Sequence, residues 1–159
     1  MSRSEEYRSR LVASPRRRWL STWGSVAAWC LLLFVLSAQP YLPLPGEIPE
    51  SDKMAHVLAY GVLGWLWARA VSTSWSTWPT LAVLLSAIVF TGGYGLSDEW
   101  HQMYVPGRSV SLLDALADVC GGTLGGVSFR LWLQHRDNRR SRATEELEEE
   151  LRDPYDPAA

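Results

Sequence analysis

Four long apolar runs separated by short polar stretches make up the middle of the chain. The first, Trp19 to Leu36, has 18 residues and no charge. It predicts a helix about 27 Å long, close to a hydrocarbon core of roughly 30 Å. The second, Met54 to Val71, is interrupted by His56 and by Arg69, which sits near the far end where it can snorkel to an interface. The third, Pro79 to Leu96, has its proline in the tolerated first turn. Its Gly92, Gly93 and Gly95 predict a loosened or kinked backbone just before Asp98. The fourth, Leu112 to Leu133, opens on the Ser111…Asp114 spacing that starts a helix. It carries the block Gly121-Gly122-Thr123-Leu124-Gly125-Gly126, whose small-xxx-small pairs let another helix backbone come close.

The connections fit this pattern. Residues 39–51 contain four prolines and a glycine, which forbid regular structure, and Ser51 is a suitable N-cap for the helix after them. Ser72 to Thr77 is a short linker, and Trp75 and Trp78 suit an interfacial aromatic belt. In the stretch 97–111, Pro106-Gly107 marks a turn. The predicted fold is all-α, an integral membrane bundle of four transmembrane helices with a polar loop on its outer face. Residues 1–18 form a basic tail, 19–133 the membrane domain and 134–159 a charged tail, which is solvated, disordered or locally helical. A signal peptide competes for the first run. The long apolar region, and bulky Leu36 ahead of Ser37-Ala38, favour a retained helix.

Composition taken alone misleads. A charged fraction of 20% and a mean hydropathy of −0.07 resemble a soluble protein. The charge, however, lies at the ends, with six Arg in residues 1–18, and five Arg and eight acids in residues 134–159. The net charge of −2 is a sum over opposed tails and says nothing about partners; nothing points to nucleic acid. Cys30 and Cys120 stand alone in apolar runs and read as small hydrophobes, neither bridged nor nucleophilic. Counting cations near the helix ends puts Arg16, Arg17, Arg18, Arg69, Arg130, Arg136, Arg139, Arg140 and Arg142 on one side and only Lys53 and Arg108 on the other. The expectation is a multi-pass protein of the cell membrane with both termini cytoplasmic.

This topology brings two polar clusters to the outer face. Asp52, His56 and Tyr60 share one helix face at i, i+4, i+8. Asp98, Glu99, His101 and Gln102 close the third helix, while Asp114 and Asp118 open the fourth. Asp52 and Asp114 also suit first turns through capping and the helix dipole, but Asp118 lies a turn deeper. Tyr60 and Tyr94 read as packing residues. Ionisable groups in membrane segments are expensive and face a bundle interior or a wet cavity.

Three readings stay open. In one, His56, Asp52, Glu99 and Asp98 do acid–base or metal-assisted work, although no metal signature of known spacing is present and no cofactor is implied. In the second, Lys53, His101, Gln102, Arg108, Asp114 and Asp118 bind: Arg108 and Lys53 grip an anionic head group while the acids meet an amine or water. In the third, the charges form an ion network that sets helix register, with no ligand.

The set D-K-x-x-H-x-x-x-Y (Asp52 to Tyr60), S-D-E-x-H-Q-x-x-x-P-G-R (Ser97 to Arg108) and D-x-x-x-[ND]-x-x-G (Asp114 to Gly121) resembles the VanZ-like family of small multi-pass membrane proteins, across roughly Trp19 to Leu133. The asparagine-type position of the last motif is Asp118 here, a departure that adds a negative charge. The resemblance implies a bacterial plasma-membrane protein working at the cell envelope. Its expected partners are membrane lipids and a cell-wall or lipid-linked precursor, and the glycine block offers a contact for a homo-oligomer or, more simply, for packing within the chain.

Overall fold

The computed structural model describes residues 15–39, 51–108 and 110–152. Most of the proline-rich connection 39–51 therefore lies outside the described residues. The four apolar runs become four helices: α1 (Pro15–Ser37), α2 (Ser51–Ser74), α3 (Thr80–Gln102) and α4 (Leu112–Arg152). No strand occurs among the described residues. α1 begins on Pro15, a residue suited to a first helical position because its missing N–H has no helical partner there.

Two boundaries differ from expectation. α3 runs through Gly92, Gly93 and Gly95 to Gln102 without an interruption before Asp98. Two of these glycines are contact points: a Cβ on Gly92 would meet Val119 at 3.2 Å, and one on Gly95 would meet the Asp118 carboxylate at 2.5 Å. α4 does not stop near Leu133 but continues to Arg152, for 41 residues. No glycine or proline interrupts residues 127–152, and the Arg, Glu, Ala and Leu that fill the extension are strong helix formers.

The burial pattern is inverted relative to a water-soluble bundle. Leu31, Leu58, Leu81, Val89, Leu96 and Leu131 are exposed, whereas Thr91, Asp98, Glu99, Gln102, Asp114 and Asp118 are buried. Apolar side chains turned outward and carboxylates turned inward are the arrangement hydrocarbon demands. Three segments are long and apolar enough to cross a membrane: Arg17–Ser37, Thr80–Gln102 and Leu112–Glu149. α3 alone, at 23 residues, has a length of about 34 Å. α2 is not among the three, because His56 and Arg69 lower its hydropathy. It also packs against all three other helices, so protein rather than lipid shields much of it.

Its most extensive contact is with α4. Here Gly61 and Gly64 face Gly121, Gly122 and Gly125 with backbone on backbone. An added Cβ at Gly64 would collide with the Gly122 backbone, one at Gly121 with the Val57 carbonyl, and one at Gly125 with the Gly61 carbonyl. The glycine block is thus used within the chain. Polar bonds join α1 to the rest: Trp23 Nε1 donates to Ser74 Oγ (2.8 Å), Trp29 Nε1 to the Ala59 carbonyl (2.9 Å) and Tyr94 Oη to the Cys30 carbonyl (2.5 Å). Trp19, Trp23, Trp75 and Trp78 form a chain of ring contacts at one end of the bundle, as an interfacial belt does. Cys30 and Cys120 are free.

The seam makes a sharp prediction. Gly125→Val should lower stability by about 1–3 kcal/mol or more, because backbone cannot move aside. Gly93→Ala, with nothing within 4 Å of the new methyl, should be neutral or gain up to about 1 kcal/mol. Thermal unfolding in detergent distinguishes them, and equal melting temperatures for the two variants would sink the assignment of the seam.

Candidate functional site

The ends of the helices opposite the Trp belt carry the polar residues. The glycine seam brings α2 and α4 so close that His56 Nδ1 lies 2.8 Å from Asp118 Oδ1. Asp118 has no exposed surface, and His56 is 12% exposed at its side chain. The missing side chain of Gly95 on α3 leaves the space the Asp118 carboxylate occupies. Asp118 Oδ2 and the hydroxyl of Tyr60 are buried with no hydrogen-bond partner among the described residues. The Tyr60 ring lies nearly parallel to the His56 ring, 6.2 Å away.

Two further contacts organise the rim. Ser111 caps α4, its Oγ accepting the Asp114 N–H at 3.3 Å. In a capping box the third helical residue would return a bond to the cap's own N–H. Here Glu99 of α3 takes that place, its Oε2 accepting the Ser111 N–H at 2.7 Å. On the other side of α3, Gln102 Nε2 donates to Ser37 Oγ of α1 (3.1 Å) and to Asp98 Oδ2 (3.2 Å). Sequence reasoning placed Ser111 at the start of α4 but missed its bond to Glu99, and it missed Ser37 as a partner of Gln102.

The connection between α3 and α4 is shaped by Pro106-Gly107. The Arg108 N–H bonds to the Val105 carbonyl at 3.2 Å, and Gly107 has φ 84°, the left-handed value that the third position of such a turn requires. The turn delivers Arg108 to the mouth of a cavity of about 90 Å³, lined also by Leu33, Ser37, His56, Tyr60, Asp98 and Gln102. Arg108 Nε donates to the Gln39 carbonyl at 3.1 Å. It forms no ion pair with a carboxylate among the described residues.

The structure therefore brings His56, Asp98, Gln102 and Arg108 to one cavity, with Asp118 behind His56. Glu99 and Asp114 belong to the α4 cap. His101 turns toward α1, its ring 4.6 Å from Phe34, away from the cavity lining. Lys53 is partly exposed in the first turn of α2 and does not line the cavity. Asp52 falls in that turn too, but its side chain lies outside the described residues. No group of three or more His, Cys, Asp or Glu suited to a metal occurs among the described residues.

The arrangement supplies a cation at the mouth, hydrogen-bonding groups along the wall and a His–carboxylate pair at the base. In the tautomer that gives its Nδ1–H to Asp118, a neutral imidazole would carry its acceptor lone pair on Nε2. Compared with known proteins, residues 20–133 match the family described as VanZ/LLP1. No curated protein and no solved structure matches the chain.

Replacing Glu99 by Ala should release the Ser111 end of α4, at a cost of about 1–3 kcal/mol for the amide left unpaired. Hydrogen exchange reads this as faster exchange at Ser111 and Asp114, with Glu99→Gln, which keeps an acceptor, in between. Unchanged exchange in Glu99→Ala would remove Glu99 from the cap.

Proposed function

The chain belongs to the VanZ-like family, and on that premise we propose that the cavity beside Arg108 receives the phosphate-bearing head group of an envelope lipid or lipid-linked precursor. Arg108 recognises the anion and the His56–Asp118 pair moves a proton on it. The observation that carries this reading is the pair itself. A carboxylate with no exposed surface holds an imidazole at 2.8 Å, and that imidazole lines a cavity whose mouth bears Arg108. A buried carboxylate fixes a histidine's tautomer and orientation, as a general base requires. The cavity is small against the several hundred Å³ of a pocket that swallows a whole ligand. It suits a head group whose apolar remainder stays in the bilayer. The orientation belongs to the same reading: both termini cytoplasmic and the cavity on the outer face, as the distribution of arginines favours.

A purely structural role for the cluster is the second reading, favoured by the Glu99–Ser111 and Gln102–Ser37 bonds, which tie helices together without any ligand.

The test is lipid capture by the purified chain from a bacterial membrane extract, with the bound lipid identified by mass. Arg108→Lys should weaken capture about tenfold or more, since a point charge replaces a bidentate fork. His56→Gln and Asp118→Asn should leave capture in place and slow conversion of the captured lipid by at least about a hundredfold. If Arg108→Lys captures as the unaltered chain does, while all these variants merely melt earlier, the structural reading stands and the proposed function falls. A C-terminal tag labelled only from outside intact cells would overturn the orientation.

A further inference from the structure

The other end of the α2–α4 seam holds a site of different make-up. Beyond Gly64 and Gly125 the facing residues become large. Trp65 packs edge-on against Phe129 (5.4 Å, 86°) and lies 5.8 Å from Trp132. Backbones that touch at glycine are followed by rings that fill only part of the gap. The result is a cavity of about 360 Å³, lined by Trp65, Arg69, Ser72, Phe129, Trp132 and Arg136 among others.

Its chemistry is that of an anion site. Arg69, on α2, makes no side-chain hydrogen bond or ion pair recorded among the described residues and is exposed. Arg136, on α4, lies over the Trp132 ring at 5.2 Å and bonds to the adjacent Asp137 at 3.2 Å. That pair is solvent-exposed and worth little, so a doubly hydrogen-bonded anion can displace it. Ser72 Oγ is buried and has no partner among the described residues, although the residue lines this cavity. The three residues line one cavity with two indoles, at the end of the bundle where the Trp belt marks a membrane interface. A basic pocket between membrane helices, at head-group depth and walled by Trp, has the chemistry of a phospholipid phosphate with its glycerol on the rings.

We propose that this groove is a binding site for an anionic phospholipid, its phosphate held by Arg69, Arg136 and Ser72. The site stands at the opposite end of the bundle from the His56–Asp118 cavity and does not depend on that cavity's function.

The test uses the full chain in an equimolar mixture of phosphatidylcholine and phosphatidylglycerol, with retained lipid counted by native mass spectrometry. Preferential retention of phosphatidylglycerol is expected. Arg69→Gln and Arg136→Gln should each reduce it about tenfold, and Ser72→Ala several-fold, each losing a hydrogen bond to a charged group. Arg142→Gln, farther along the exposed part of α4, should retain it as the unaltered chain does. Inorganic phosphate should not displace it. Equal retention of both lipids, undiminished retention in Arg69→Gln and Arg136→Gln, an equal loss in Arg142→Gln, or displacement by inorganic phosphate would each overturn the proposal. Circular dichroism and melting of each variant separate loss of the site from loss of the fold.

Discussion

The backbone contact between α2 and α4 is the constraint on which the rest of the molecule depends. In hydrocarbon no hydrophobic effect drives helices together, so association rests on close packing and polar pairs. Gly61 and Gly64 against Gly121, Gly122 and Gly125 supply the closest packing a helix pair can reach. Both ends of the seam follow from it. On one side the axes are near enough for His56 to meet Asp118 directly, without water between them. On the other, Trp65, Phe129 and Trp132 cannot fill the angle left between the helices, and the basic groove opens.

The buried charges would be hard to justify singly. Removing a carboxylate from water costs several kcal/mol even after relaxation, and a partner must offset it. Asp98, Glu99, Asp114 and Asp118 are all buried, and their neighbourhood assigns them different work. Glu99 joins α3 to the start of α4 through Ser111. Asp98 shares Gln102 with Ser37 and so joins α3 to α1. Asp118 joins α4 to α2 through His56. Every helix is thus held by at least one polar bond at this end, and Ser37, Asp98 and Gln102 line the same cavity as His56.

Much of this was legible in the sequence, because membrane helices announce themselves by unbroken apolar runs and because charge inside such runs has few explanations. His56 and Asp118 stood out on those grounds. What was not legible is what depends on pairing between helices. The exchange that lets Glu99, rather than Asp114, complete the cap at Ser111 requires knowing how α3 lies beside α4. The use of Gly95 as room for Asp118, rather than as a weak point in α3, requires the same. The continuation of α4 to Arg152 was hidden for another reason: hydropathy marks where a helix leaves lipid, not where its hydrogen bonding stops, and no glycine or proline stops it there.

Arg108 shows best how placement changes a residue's meaning. Read along the chain, it fits both a grip on an anionic head group and an ion network with the acids. In the fold, the Pro106-Gly107 turn carries it past the carboxylates to the cavity mouth, where its recorded bond is to a neutral backbone carbonyl. A guanidinium paired with a carboxylate has its charge cancelled nearby and attracts little else. One bonded to a carbonyl keeps its full charge and has further N–H donors. Its field, focused by the low dielectric around it, favours an anion at the entrance, while the acids behind it remain held by Gln102, Ser111 and His56. In the proposed function, recognition falls to Arg108 and proton chemistry to the His56–Asp118 pair, two different parts of one small cavity.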